Sequence, residues 1–346
     1  MSNPVRIVYV VHSGQAFGTE RVALATLRAL RSHGDPLFVA PPGPAHALAA
    51  SQGVESVEFR SLRDLFGILR GALSVRGSAL FTTGLTHTLC AAVLRVMRPG
   101  RFRELHVVHG GTDEALSYGR KHLVAKLGVR LIAISDFVRQ RLIAHGVPEK
   151  AIAIVPNFLE TEGAPPPRAA SDRQLQRVLV VSRADRIKRL ELLIDAVRLR
   201  PSLGALQIDV LGSGELLDDL RKGSQDLPNL HFHGYVDNVP DWLAQADLLV
   251  HTCPTEPFGL AVLEAFRAGV PVLVPDCGGT GELVRANEDG WQYKGGDARA
   301  LAEALANIAA LTPAQRAAVA EAAGRTLRRD YSPESIAPVL WRQLTV

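Results

Sequence analysis

The stretch Glu256-Pro257-Phe258-Gly259-Leu260-Ala261-Val262-Leu263-Glu264 follows an apolar run, Asp247-Leu248-Leu249-Val250-His251, and its reading decides the fold. Pro257 bars helix at Glu256 and pre-sets a turn. Gly259 lets backbone come close to a ligand. From Leu260 the residues are good helix formers, and Gly269 stands where a C-terminal cap belongs. The stretch therefore predicts a strand, a tight turn and a helix N-terminus, which favours a phosphate. Glu264 falls more than one turn into that helix, where a carboxylate can accept bonds from hydroxyl groups. A surface turn with two solvated glutamates is the plainer alternative for the pair taken alone.

Outward from this stretch, strand and helix alternate. In the second half, runs at 177–182, 207–212, 230–234, 248–251 and 270–275 read as strands, and 190–199, 215–223, 241–246 and 259–268 read as helices. In the first half, short apolar runs at 5–11, 37–40, 79–82, 105–109 and 131–134 follow or precede helical segments such as 20–32. Short apolar runs separated by helices imply parallel sheets covered on both faces. The segment Thr161-Glu162-Gly163-Ala164-Pro165-Pro166-Pro167-Arg168 reads as a linker. The expected organisation is an α/β chain of two Rossmann-like domains, 1–162 and 172–330. A helix at 333–344, within a tail of 331–346, is expected to pack back on the first domain. Ligands are expected in a central cleft, at the C-terminal ends of both sheets.

The chain has 346 residues, natural for two domains, and 47% of them are hydrophobic. Three isolated cysteines, Cys90, Cys253 and Cys277, show neither a disulfide framework nor zinc spacing, which suits a reducing cytoplasm. The start runs directly into an apolar strand with no signal-peptide pattern, and no apolar run is long enough to span a membrane. Charge is uneven: residues 1–160 hold 19 Lys+Arg against 11 Asp+Glu, a net +8 within an overall +4. A basic N-terminal half suits an acidic partner, either anionic lipid or an acidic acceptor.

Several loops carry residues suited to chemistry. Arg183 and Lys188 follow the first strand of the second half, where a planar fork and a point charge can share one phosphate. Gly212-Ser213-Gly214 follows the next strand. Leu217 occupies the third glycine place of a dinucleotide fingerprint, which argues against a nicotinamide cofactor. Gly278-Gly279-Thr280-Gly281 forms a further glycine loop. In the first half, Gly18 opens the first helix and can let backbone approach a phosphate or an acceptor. His109 stands at a strand end beside Gly110-Gly111, as a donor to a hydroxyl or phosphate, as a proton carrier, or as a structural histidine. No His/Cys cluster has metal spacing, so no metal is expected, and Arg183, Lys188 and helix N-termini supply the positive field.

Together these residues resemble family 4 glycosyltransferases, retaining enzymes of the GT-B fold. The likeness covers nearly the whole chain. It rests on Glu256 and Glu264 as a Glu-x7-Glu signature, the pair Arg183 and Lys188, Gly212-x-Gly214, Gly278-Gly279 with Glu282, Val155-Pro156-Asn157, and Gly18-Thr19-Glu20-Arg21. Phe17 and Phe158 depart from the pattern, standing where glycine is common. The resemblance implies a first domain that binds acceptor and a second that binds nucleotide sugar. It implies that Arg183 and Lys188 bind the donor diphosphate and that Glu264 accepts bonds from the nucleotide ribose. Glu256 contacts the transferred sugar, and the backbone N–H groups of Phe258, Gly259 and Leu260 take phosphate or sugar oxygens. His109 lies beside sugar and phosphate. The donor is a UDP-sugar or GDP-mannose, used without a cofactor, and the acceptor a saccharide or lipid-linked glycan in cell-envelope synthesis.

Three rivals stay open: a glycosidase using Glu256 and Glu264, a nucleotide-sugar epimerase of the same fold, and a non-catalytic nucleotide-sugar-binding protein. No nucleic-acid partner is expected. A cytoplasmic location is expected, with two readings of the segment Leu62–Arg70. Its apolar residues Leu62, Leu65, Phe66 and Leu69 share one helical face, flanked by Arg63, Arg70 and Arg76, with Lys121, Lys126 and Arg130 nearby in sequence. One reading is peripheral docking of the N-terminal domain on the inner, anionic face of the membrane. The other is a core-facing face with solvated arginines.

Overall fold

The computed structural model describes residues 5–110, 112–160 and 174–344. The linker read at 161–168, Gly111 and the first four residues lie outside the described residues. The chain divides into two compact units, residues 1–160 with 331–346, and residues 161–330.

The first unit is built on seven parallel strands: β1 (Arg6–Val10), β2 (Asp35–Ala40), β3 (Glu55–Glu58), β4 (Ser78–Thr82), β5 (Phe102–Val108), β6 (Arg130–Ala133) and β7 (Ile152–Ile154). Their spatial order is β3-β2-β1-β4-β5-β6-β7, with Val8 of β1 paired to Leu37 of β2 and to Leu80 of β4. Chain order reverses direction between β1 and β4, so their carboxyl ends open on a crevice. Central strands are buried on both faces, which is why they read as unbroken apolar runs. On one face Val8, Val10, Leu37, Val39 and Leu80 pack against Leu65 and Leu69 from the Leu62–Ala72 helix, Leu73 just after it, and Ala91 and Leu94 from the Leu85–Met97 helix.

This packing corrects the membrane reading of 62–70. Leu65 and Leu69 are fully buried and Phe66 packs on the same core, leaving Leu62 outside. Lys121 is not a surface charge either. It is fully buried, with its Nζ 3.0 Å from Asp113 and 2.8 Å from His106 Nε2.

The Pro333–Gln343 helix belongs to the first unit and packs on the Gly18–Ala29 helix. Trp341 lies against His33 with ring centroids 4.2 Å apart, and Arg130 donates to Gln343 at 2.9 Å. The Leu159 amide donates to the Tyr331 carbonyl at 3.0 Å, tying the two chain segments side by side.

The second unit has six parallel strands: β8 (Arg177–Val181), β9 (Gln207–Leu211), β10 (Leu230–Gly234), β11 (Leu248–Val250), β12 (Val272–Pro275) and β13 (Trp291–Tyr293). Their order, β10-β9-β8-β11-β12-β13, is that of a doubly wound nucleotide-binding sheet, reversing between β8 and β11. Its core joins Val178, Val180, Ile208, Val210, Leu248 and Val250 to Leu193 and Val197 of the Glu191–Leu199 helix and Leu301 and Leu305 of the Ala298–Ala310 helix. The helix expected at 241–246 begins earlier, at Val239–Leu243, because Pro240 is well placed in a first turn.

Candidate functional site

Four loops meet at the carboxyl edge of the second sheet. The loop after β8 holds Arg183 and a 3-10 turn at Arg186–Lys188. The loop after β9 holds Gly212 and Gly214 and lies directly against it. The Ala184 amide donates to Ser213 O at 3.1 Å, and the Leu216 amide donates to Ala184 O at 2.9 Å. The loop after β11 carries Glu256, and the loop after β12 opens the short Gly278–Leu283 helix.

The opening stretch folds as a strand, a turn and the Leu260–Ala268 helix. Gly259 is the residue before that helix and Gly269 the residue after it, both left-handed, at φ 104 and φ 71. At Gly259 the requirement is steric as well as conformational: a Cβ there would sit 2.5 Å from Thr280 Cγ2. At Gly279 a Cβ would come within 2.1 Å of the Pro257 carbonyl oxygen, so only glycine lets the two loops touch. They are joined there, the Gly279 amide donating to Glu256 O at 2.6 Å. The amides of Gly259 and Leu260 stand at the N-terminal end of a nine-residue helix, where an anion is favoured. Glu264 lies in the same helix and is half-buried.

Glu256 is the centre of the arrangement. Lys188 Nζ donates to its Oε2 at 2.6 Å, and His251 Nε2 lies 3.4 Å from the same oxygen. His251 Nδ1 accepts the Cys253 amide at 3.3 Å, so its ring proton falls on Nε2, facing the carboxylate. Burial alone would raise the Glu256 carboxyl. The His251 hydrogen bond and the Lys188 charge outweigh it and hold the group down to about 2. For Lys188 burial is likewise the largest effect and lowers its value, but Glu256 reverses it and the net direction is upward. Both groups are therefore charged at neutral pH. Glu256 Oε1 is engaged by neither partner.

Lys188 is set by the strand-end segment after β11. Thr252 Oγ1 donates to Lys188 O at 2.7 Å, and Cys253 Sγ lies 3.1 Å from Ile187 O. The Tyr293 hydroxyl donates to His251 O at 3.0 Å, fixing that segment from β13. Arg183 is exposed and ion-paired to Asp185 at 2.7 Å, beside Lys188 rather than on Glu256. Thus Lys188, Glu256, Gly259, Leu260, Phe258, Arg183, Gly212 and Gly214 all lie on one sheet edge. Sequence reasoning left out His251, although it is a histidine at a strand end, the same signal that marked His109.

In the first unit, the carboxyl ends of β1, β4 and β5 gather a polar network. His12 Nδ1 lies 3.1 Å from Thr83 Oγ1, and Tyr9 Oη lies 3.4 Å from His109 Nε2. Beneath them His106 Nδ1 lies 2.8 Å from Thr88 Oγ1, with Lys121 on its other nitrogen. Burial pushes His109 down to about 4, with His12 adding to the effect and Asp113 opposing it, so its imidazole is neutral at neutral pH. Gly18 is the first residue of the Gly18–Ala29 helix, and Glu20 fixes the loop before it by accepting the Phe17 amide at 3.2 Å. Among the described residues, no group of three or more His, Cys, Asp or Glu side chains is arranged to hold a metal ion.

Residues 167–325 match the family model for glycosyl transferases group 1. The chain is 32% identical over 143 residues to the O-antigen biosynthesis glycosyltransferase WbnH of Escherichia coli, covering 41% of this chain and 40% of that protein. It is 30% identical to the lipopolysaccharide core biosynthesis glycosyltransferase LpsE of Rhizobium meliloti, covering 54% and 56%. These matches span about half the length of each relative or less. Among solved structures, Anabaena Alr3699/HepE in complex with UDP-glucose superposes with a TM-score of 0.82 at 19% identity, over 98% of this chain and 99% of that one. The lipopolysaccharide outer core galactosyltransferase WaaB superposes with a TM-score of 0.72 at 17% identity, over 98% and 100%. The architecture is the GT-B fold: two parallel-sheet α/β units of seven and six strands.

Proposed function

We propose that this protein is a glycosyltransferase that moves a sugar from a nucleoside-diphosphate sugar to a saccharide or lipid-linked glycan in cell-envelope synthesis. The observation that carries the reading is the Lys188–Glu256–His251 cluster beside the helix N-terminus at Gly259–Leu260. It sets a fixed cation and an anion-favouring helix end next to a carboxylate held charged. The group-1 glycosyl transferase model matched over 167–325, and the likeness to glycosyltransferases such as WbnH, support it.

We assign the donor diphosphate to Lys188, Arg183 and the amides of Phe258, Gly259 and Leu260. Gly212 and Gly214 give close approach to the nucleotide, and Glu264 accepts bonds from its ribose. Glu256, through Oε1, takes a hydroxyl of the transferred sugar. In the first unit, neutral His109 bonds a substrate hydroxyl or phosphate oxygen, and Gly18 allows backbone approach. We assign acceptor binding to the first unit and donor binding to the second.

The transfer we propose proceeds with retention and without a metal ion. The bond from the sugar's anomeric carbon to the diphosphate oxygen breaks, and the acceptor oxygen bonds to that carbon on the same face. The acceptor proton goes to the departing phosphate. Lys188, Arg183 and the helix end stabilise the charge that develops on the leaving diphosphate, where preorganised groups are most effective. Glu256 is held ionised and stabilises the cationic sugar. A glycosidase with Glu256 as its general acid is disfavoured, because Glu256 is held well below the range of a general acid.

Calorimetry with UDP, GDP, ADP, CMP and NAD, with and without EDTA, tests the proposal. Binding of one nucleoside diphosphate, unchanged by EDTA, is expected. Binding of NAD, or of no nucleotide, refutes it. The anomeric configuration of the product, read by NMR, tests retention.

A further inference from the structure

The Leu85–Met97 helix breaks the rule its position sets. Its inner face, with Ala91 and Leu94, is buried against the first sheet. A helix lying on a sheet ordinarily turns polar residues outward. Here Leu89, Val93, Val96 and Met97 share the outer face by helical spacing and are 37%, 56%, 83% and 62% exposed. Arg95 is the one charged residue in the helix, and it reaches across to the Leu127 carbonyl. That contact joins the His122–Lys126 helix alongside, where Leu123 and Leu127 are also exposed. An apolar stripe on one helix, continued onto its neighbour, is more than the scattered single residues a surface normally shows.

The rim is as one-sided as the stripe. From residue 62 to residue 101, up to the start of β5, the chain holds six arginines, at 63, 70, 76, 95, 98 and 101, and one acid, Asp64. At the stripe's C-terminal end an open cavity of about 520 Å³ is lined by Ser74, Met97, Arg98, Pro99 and Arg101. Arg98 is held there by its bond to Arg70 O at 2.9 Å. Met97 thus belongs both to the apolar stripe and to a cationic recess.

We infer that the first unit docks on an anionic lipid bilayer through the outer face of the Leu85–Met97 helix. Val93, Val96 and Met97 enter the acyl boundary, and a headgroup phosphate is taken between Arg98 and Arg101. Apolar burial and attraction to anionic lipid act together at such a surface, and both are supplied on this face. The docking helix is the neighbour of the 62–70 segment, whose own apolar residues are spent in the core.

The test is flotation of the full chain with phosphatidylcholine vesicles, with and without phosphatidylglycerol. Binding to the anionic vesicles at low salt, weakened by high salt and absent on the neutral ones, is expected. Val96→Glu, on a side chain that touches little of the fold, should lower partitioning on the order of tenfold. Arg101→Gln should lower it about fivefold. Unchanged thermal melting shows that both variants fold. The proposal is overturned by no binding to anionic vesicles, by equal binding to neutral ones, or by Val96→Glu binding like wild type. A concentration-dependent dimer in sedimentation velocity, lost in Val96→Glu and accompanied by no vesicle binding, would assign the face to a second copy and overturn it too.

Discussion

Replacing Lys188 with methionine removes the ammonium 2.6 Å from Glu256 while keeping most of the side-chain length. Both side chains are less than one-fifth exposed, so water does little to screen the pair. The carboxyl stands at about 2 instead of its ordinary 4.5, a difference worth about 3 kcal/mol of interaction favouring the charged form. His251 supplies part of this and survives the substitution. Lys188 supplies much of the rest, and its loss leaves a buried carboxylate half-compensated. We expect the second unit to lose about 2–3 kcal/mol at neutral pH. A group whose folded value is depressed contributes stability above its unfolded value and loses it as pH falls through the folded one. The gap between wild type and variant is therefore full above pH 4.5 and closes between 4.5 and about 2. Urea unfolding read by Trp242 and Trp291, in a Trp341→Phe background, follows this unit alone. Adding Glu256→Gln to the variant should recover about 2 kcal/mol, since no charge is then stranded. A variant within about 0.5 kcal/mol of wild type at neutral pH, or a gap that persists at low pH, would refute the reasoning.

Three further outcomes follow from the same geometry. Glu256→Ala should lower turnover far more than nucleoside diphosphate affinity; an equal loss in calorimetric affinity contradicts its assignment to the sugar. Gly259→Ala, at φ 104 and with a Cβ 2.5 Å from Thr280, should cost about 1–3 kcal/mol in thermal or urea melts, and an unchanged melt contradicts the packing of the two loops. In the first unit, burial holds His87 and His109 down to about 4 and His106 well below its ordinary value of 6.5. Folding then favours the neutral rings, so stability is full above 6.5 and is lost as pH falls toward 4, by about 3 kcal/mol for His87 alone. Trp341 fluorescence should report this unit weakening at a pH where Trp242 and Trp291 still report a stable second unit. Equal acid sensitivity of the two would count against it.

Much of this was legible along the chain, and the losses have physical causes. Buried central strands such as 37–40 and 177–182 announce themselves as apolar runs because both of their faces are covered. The edge strands do not. β3 is Glu55-Ser56-Val57-Glu58, with no apolar run, and β7 (Ile152-Ala153-Ile154) and β13 (Trp291-Gln292-Tyr293) are three-residue pieces, too short for their pattern to stand out. At the site, the glycines and glutamates were readable because their constraints are local: Gly259 and Gly269 bracket a helix. The Lys188–Glu256 pair was not, since the two residues lie 68 apart in sequence and meet only because β8 and β11 are neighbours. The 62–70 segment shows the limit of helical patterning. An apolar face records that something covers it, and the cover here is Val8, Val39 and Leu80. The neighbouring Leu85–Met97 helix carries apolar residues on both its buried and its exposed side, so its pattern marked no single face.

The first unit is closed by a segment that the ribosome delivers last among the described residues. Until residues 333–343 have emerged, the Gly18–Ala29 helix lacks its packing partner, and Leu159 and Arg130 lack the acceptors that Tyr331 and Gln343 provide. The second unit carries no such debt, since all its strands and core helices lie in one continuous stretch. Synthesis order and maturation order are thereby inverted: the sheet made first is finished second. A nascent chain stalled within the second unit would present the flank of the first as unfinished apolar surface, a target for chaperones and proteases.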